Sequence, residues 1–122
     1  MLKLLVVDDA PHVLKALRDT LEGRGYEVHE AVNGEEAVTM YREVRPDVVL
    51  MDILMPKMDG ISATRNIIDC YPDAKIIAVT AVGKRGLEKE CIEAGASGFV
   101  MKPFKTKELL NIIDSLGNDE GN

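Results

Sequence analysis

Aromatic residues are scarce in this chain, with no Trp, three Tyr and two Phe among 122 residues. Basic residues are also in deficit, 15 Lys and Arg against 21 Asp and Glu, for a net charge of -6. Few stacking platforms and an acidic balance argue against nucleic acid as a direct ligand. Cysteine is limited to Cys70 and Cys91. Neither has a second Cys or a His at metal-ligand spacing, so they read as free thiols in a reducing compartment, not as a zinc site or a disulfide framework. Long apolar runs are missing as well. The opening stretch Met1 to Val7 stops at Asp8-Asp9, far short of the roughly 20 residues of a membrane span, and no small-residue cleavage site follows it. A cytoplasmic protein with no membrane contact is the expectation. What remains is 46% hydrophobic and 30% charged, the composition of one soluble domain, which at this length needs no staple to fold.

Five short apolar runs alternate with five helical patterns. The runs are Leu4 to Val7, Tyr26 to Ala31 around Val28, Val48 to Met51, Ile76 to Val79 and Phe99 to Met101. Four are continuous, which suits strands covered on both faces, whereas Tyr26 to Ala31 alternates like a half-exposed edge strand. Helical spacing joins Val13, Leu14, Leu17 and Leu21; Ala37, Met40, Tyr41 and Val44; Ile61, Thr64, Ile67 and Ile68; Leu87, Cys91 and Ala94; and Leu109, Leu110, Ile112, Ile113 and Leu116. Pro11 suits a first helical turn, Gly23 and Gly95 suit C-terminal caps, Asn33 with Glu36 has capping-box spacing, Thr106 can cap the last helix, and Pro46 and Pro72 follow helix ends. Strict alternation predicts an α/β fold, a doubly wound five-stranded parallel sheet with helices on both faces. Residues 1–116 read as one domain and 117–122 as a loose tail.

In an open sheet of this kind ligands bind beyond the carboxyl ends of the strands. Four strands deliver a polar residue there: Asp8 and Asp9 after the first, Asp52 at the end of the third, Thr80 at the end of the fourth and Lys102 after the fifth. Singly, each has a plain structural explanation. Asp9 could cap a helix, Asp52 could open a turn, Thr80 could bond its own backbone and Lys102 could be a solvated strand end. Together they gather three carboxylates, a hydroxyl and a lysine at one rim, an arrangement that repels itself unless a cation sits within it. Oxygen ligands without His or Cys point to a hard ion, and few carboxylates with room for water and phosphate oxygens favour Mg2+ over Ca2+. A glycine-rich phosphate loop is absent, since Asp8-Asp9-Ala10-Pro11 follows the first strand, which argues against a nucleotide or flavin binder. A second acid two places after Asp52 is also absent, Leu54 standing there, which argues against a haloacid-type phosphatase.

The ordered set Val6-Val7-Asp8-Asp9, Asp52-Ile53-Leu54-Met55-Pro56 with Met58-Asp59-Gly60, Thr80-Ala81, Gly95-Ala96 and Lys102-Pro103-Phe104 resembles the receiver domains of two-component response regulators, in the manner of the chemotaxis regulators. The likeness runs from Lys3 to Leu116. It implies the (βα)5 flavodoxin-like strand order 2-1-3-4-5, carried over from the family, whose chemotaxis member is a standard illustration of that order, and not read from spacing. It also implies a signalling switch that catalyses only its own phosphorylation and slow dephosphorylation. Asp52 would be the phosphoacceptor, Asp8, Asp9, Asp52 and the backbone carbonyl of Leu54 the Mg2+ ligands, Lys102 the partner of the phosphoryl group, and Thr80 and Phe99 the switch pair. The Lys102-Pro103 peptide would be cis. The phosphodonor would be a sensor histidine kinase or a small acyl phosphate, and the output a downstream effector protein docked on the face of the fourth helix, fifth strand and fifth helix, about residues 87–116. A separate phosphatase, or a relay of the phosphoryl group to another protein, is the alternative fate. The apolar residues at Leu54 and Val82 would crowd the hydrolytic water and slow dephosphorylation. His12 and His29 have no comparable role, Met51, Met55 and Met58 would pack around the acceptor loop, Gly60 would let the chain turn after it, and Gly83 and Gly86 would keep the following segment pliable.

Overall fold

A computed structural model of the chain describes residues 2–55, 57–81, 83 and 85–117. Strands and helices alternate: β1 (Lys3–Val7), α1 (Pro11–Glu22), β2 (Glu27–Ala31), α2 (Gly34–Val44), β3 (Val48–Asp52), α3 (Gly60–Cys70), β4 (Ile76–Thr80), α4 (Leu87–Glu93), β5 (Gly98–Met101) and α5 (Thr106–Gly117). The five strands are all parallel, in the order β2-β1-β3-β4-β5.

The continuous apolar runs become strands buried on both sides because successive side chains point to opposite faces. Leu4, Val6, Leu50, Ile77 and Val79 turn toward a core shared with α1 and α5. Leu5, Val7, Val49, Met51 and Ile76 turn the other way, toward α2 and α3. Leu4, Leu5, Ile76 and Ile77 are fully buried, each worth about 1.5–3 kcal/mol of transfer free energy. A smaller cluster of Ile53, Ala78, Leu87, Cys91 and Ala96, with Phe99 beside it, seats α4. The alternating run forms the edge strand β2, where Glu27, His29 and Glu30 stay half-exposed. None of the helices among the described residues is long and apolar enough to cross a membrane.

The helix punctuation is mostly as expected, with instructive departures. Asn33 caps α2, its side chain accepting from the Glu36 N–H at 2.9 Å. Glu36 reaches back to the Val32 N–H, one residue earlier than a standard capping box. Gly95 lies in the left-handed region (φ 113) after α4, and Gly23 is the C-cap of α1 as expected, though right-handed at φ -62; the left-handed residue of that turn is Gly25 (φ 92). The turn carries the chain two residues past the helix before reversing its hand. Thr106 is the first helical residue of α5 and not its cap, since the Leu109 N–H bonds the Lys105 carbonyl. Helix α5 continues through Gly117, and the rest of the expected tail lies outside the described residues.

Candidate functional site

The carboxyl ends of β1, β3, β4 and β5 meet at one rim. Asp8 follows β1 directly. Its backbone N–H bonds the Ala31 carbonyl of β2 at 3.1 Å, and its Oδ1 accepts from the Ala10 N–H at 2.9 Å. This bond holds the Asp8 side chain over the entrance to α1. The N-cap of α1 is Ala10, without a side-chain capping bond, so the expectation that Asp9 might serve as a simple cap fails and Asp9 is left exposed. Asp52 ends β3 beside Val79 of β4, and Thr80 ends β4. The Thr80 carbonyl accepts from the Lys102 N–H at 2.7 Å, which ties the β5 exit to the β4 end. Asp8, Asp52 and Thr80 are 3%, 8% and 0% exposed, so this rim holds two buried carboxylates beside a buried hydroxyl.

Asp8, Asp9 and Asp52 each offer a carboxylate oxygen, and these atoms all lie within 4.8 Å of one another. Burial is the main cause that pushes the Asp52 carboxyl up to about 6, with the negative charge of Asp8 adding to it. Lys102 and a hydrogen bond from the Leu54 backbone pull in the opposite direction without cancelling the rise. The Lys102 Nζ donates to Asp8 Oδ2 at 2.9 Å, and the Lys102-Pro103 peptide is cis. Three crowded carboxylates with one ammonium form a donor set of hard oxygen atoms short of positive charge, and such a set fits Mg2+.

The loop between β3 and α3 is held by close backbone approaches. The Gly60 N–H donates to the Ile53 carbonyl at 2.9 Å, and a Cβ on Gly60 would lie 2.2 Å from the Asp52 carbonyl oxygen. Gly60, expected to let the chain turn after the loop, does so without a positive φ. It serves contact, because only a hydrogen fits between α3 and the strand that carries Asp52. Met51 is buried in the α2–α3 core with Met55 and Met58 packed against it, so the methionines do pack around this loop. Leu54 is 57% exposed beside Asp52, while Val82 lies outside the described residues, as does Pro56. Phe99 of β5 sits beside Ala78 and packs against the Ile53–Leu87–Cys91 cluster, half-buried. Gly86 takes the left-handed conformation (φ 83) at the start of α4. His29 pairs with Glu27 at 2.7 Å on the edge strand, and His12 is exposed on α1.

The family model for the response regulator receiver domain matches residues 4–114. The chain belongs to this family. Among its relatives, the chemotaxis protein CheY of Thermotoga maritima is 43% identical over 115 residues, covering 93% of this chain and 96% of the relative. CheY of Bacillus subtilis is 41% identical over 117 residues, covering 95% and 98%. Among solved structures, the CheX-CheY-BeF3-Mg+2 complex from Borrelia burgdorferi matches with a TM-score of 0.88 at 36% identity, covering 93% of this chain and 87% of that one. The receiver domain of the sensor histidine kinase PA1611 from Pseudomonas aeruginosa, with a magnesium ion coordinated in its active-site cleft, matches with a TM-score of 0.89 at 34% identity, covering 96% and 98%. Receiver domains are phosphorylation-activated switches of two-component signalling, generally not enzymes acting on other molecules. They bind Mg2+ at an acidic pocket and interact with histidine kinases and downstream effectors. This chain carries an acid cluster, Asp8, Asp9 and Asp52, whose carboxylate oxygens lie within 4.8 Å of one another.

Proposed function

We propose that this receiver domain accepts a phosphoryl group on Asp52 in a Mg2+-dependent reaction and signals by docking an effector. The observation that supports this reading is the convergence of Asp8, Asp9 and Asp52 within 4.8 Å, with the Lys102 ammonium on Asp8. A Mg2+ held by Asp8, Asp9, Asp52 and the Leu54 carbonyl would neutralise the carboxylates and the phosphoryl oxygens. An Asp52 oxygen attacks phosphorus in line, the new O–P bond forming as the N–P bond of the donor's phosphohistidine breaks and its electron pair returns to the imidazole. Asp52 must be ionised to attack, and Lys102 helps to hold it so. Lys102 then exchanges Asp8 for a phosphoryl oxygen, which turns a resting ion pair into a product contact. Thr80 turns its hydroxyl to another phosphoryl oxygen, and Phe99 follows into the space released beside Ala78.

The donor in this reading is a sensor histidine kinase. The effector binds the face of α4, β5 and α5, where Ile92 and Met101 are 47% and 40% exposed, a degree of apolar exposure that suits an intermittent protein contact. The cytoplasm, where two free thiols persist, is the compartment that suits these partners, and neither membrane nor nucleic acid enters the scheme. A second reading, a relay that passes the phosphoryl group to another protein, draws on Leu54. An exposed branched apolar side chain beside Asp52 crowds the water that would hydrolyse the acyl phosphate, and so lengthens its life for transfer or for a separate phosphatase.

Acetyl phosphate with Mg2+ should add a single phosphoryl group, seen as one mass increment in the intact protein. Asp52→Ala or excess chelator should abolish it. Modification that persists in either case refutes the assignment.

A further inference from the structure

The acceptor loop is pinned at both ends, and only one of the pins comes from its own neighbourhood. At the base, Gly60 of α3 lies against Asp52 and Ile53. At the tip, Gly34 of α2 lies against Met58. The Gly34 N–H donates to the Met58 carbonyl at 3.1 Å, and a Cβ on Gly34 would stand 2.3 Å from that oxygen and 2.8 Å from the Met58 Cβ. The Asn66 side chain of α3 donates to the Met58 sulfur at 3.5 Å, and the Met58 side chain packs against the core between α2 and α3. One residue before, exposed Lys57 is held at φ 65, a left-handed conformation that a non-glycine residue keeps only when its surroundings impose it.

The start of α2 is itself fixed. Asn33 caps it through the Glu36 N–H, and Glu36 bonds the Val32 N–H. A methyl group added at Gly34 therefore meets a doubly bonded helix start on one side and the Met58 backbone on the other.

We propose that Gly34 is a positioning residue for the phosphoacceptor loop. Its bare backbone sets the height of Met58 and its neighbours Lys57 and Asp59, and through them the aim of Asp52 and of the Leu54 carbonyl relative to Asp8 and Asp9. The inference rests on the reading of Asp52 and its neighbours as the Mg2+-dependent acceptor site. It assigns a role in that site to a residue of a different helix, 18 positions away in sequence.

The test is a Mg2+ titration of the protein without phosphodonor, followed by backbone amide shifts, alongside acetyl phosphate labelling and a thermal melt. In Gly34→Ala, Mg2+ affinity should fall by about tenfold, the lower end of what loss of an outer-shell support costs a metal site. Labelling at fixed Mg2+ should slow and recover when Mg2+ is raised. Gly25→Ala, which strains the turn before β2 away from the acceptor loop, should lower the melting temperature and leave Mg2+ affinity within about twofold of wild type. Lys57→Gly added to Gly34→Ala should restore part of the affinity, because a glycine lets the loop detour around the new methyl. A folded Gly34→Ala protein with wild-type Mg2+ affinity overturns the proposal, and so does an equal loss of affinity in Gly25→Ala. If Gly34→Ala does not fold, Met58→Gly, which loosens the backbone that Gly34 supports, carries the test with a loss of Mg2+ affinity, and an unchanged affinity there overturns it. Labelling that survives Asp52→Ala in the wild-type background is a different failure, that of the acceptor assignment itself.

Discussion

The two edges of the sheet use the same kinds of residue to opposite ends. At the amino edge, charged groups are satisfied: Asp47 accepts from the Lys3 N–H at 2.7 Å, the Lys75 ammonium donates to the Leu116 carbonyl at 2.8 Å, and the Arg45 guanidinium lies 4.2 Å from the centre of the Tyr71 ring. At the carboxyl edge, Asp8, Asp9 and Asp52 crowd together with the Lys102 ammonium on Asp8, and the Asp52 carboxyl is pushed up to about 6. One edge spends its charges on stability. The other keeps an unbalanced charge that a cation and a phosphoryl group can relieve, and such imbalance is what a site responsive to ligand requires.

Glycine shows the same division, and offers the largest test of it. Gly60 faces backbone at 2.2 Å, whereas Gly25, in the turn before β2, has φ 92 and open space around its missing Cβ. Ala at residue 60 must displace the Asp52 strand end or α3, and should cost about 3 kcal/mol or more. Ala at residue 25 bears only the left-handed backbone, about 1 kcal/mol. Urea unfolding of both variants measures the difference. Equal costs would mean that close approach is not what Gly60 provides.

Asp52 yields the next largest effect, and one of opposite sign. Its folded carboxyl titrates near 6 against an ordinary value of 3.8, so the native state prefers the protonated form. The resulting penalty on stability is absent below about pH 3.8, grows as pH rises between the two values, and is complete above about pH 6. Without divalent cation, Asp52→Asn should therefore stabilise the protein by about 3 kcal/mol at pH 7, with the gain vanishing below pH 4. Unfolding in chelator across that pH range reads it directly. A gain that grows toward low pH would contradict the electrostatic account, and a loss at pH 7 would mean that Asp52 is well solvated or already paired.

Which of these features could be read in advance depended on how local their cause was. The strands were legible because four of the five runs are continuously apolar, and burial on both faces requires that. Asp8, Asp52 and Lys102 were legible because strand ends fix which edge they reach, and the family likeness supplied their roles. Gly34 was not. Its reason is a carbonyl 24 residues further along the chain, and nothing in Asn33-Gly34-Glu35-Glu36 beyond a helix start announces it. Gly60 was noticed for the turn alone, because a glycine after a loop suggests a turn, and only the packing of α3 on β3 shows a contact. The Thr106 assignment missed by one position, because the frame of a helix start depends on tertiary docking and not on residue type alone; Gly23 does cap α1, and only the hand of its turn was not legible.

The smallest effect concerns Arg45, which sharpens the contrast between the edges from the stable side. It ends α2 at φ 51, left-handed without being glycine, and its N–H bonds the Tyr41 carbonyl at 2.8 Å. The strain of that backbone is offset by the stacking of its guanidinium on Tyr71, which in turn packs at 5.0 Å on Tyr41. Arg45→Ala keeps the strain and loses the stacking, for a net cost of about 1 kcal/mol. Arg45→Gly also loses the stacking but relieves the backbone by about 1 kcal/mol, so its stability should stay within about 0.5 kcal/mol of wild type. Neither variant should alter the rate of phosphorylation by acetyl phosphate, because Arg45 stands at the amino edge, remote from the acid cluster at the carboxyl edge. If the glycine variant proves the less stable of the two, the left-handed backbone is not strained here. If either variant changes the phosphorylation rate, the two edges are coupled and the division between them fails.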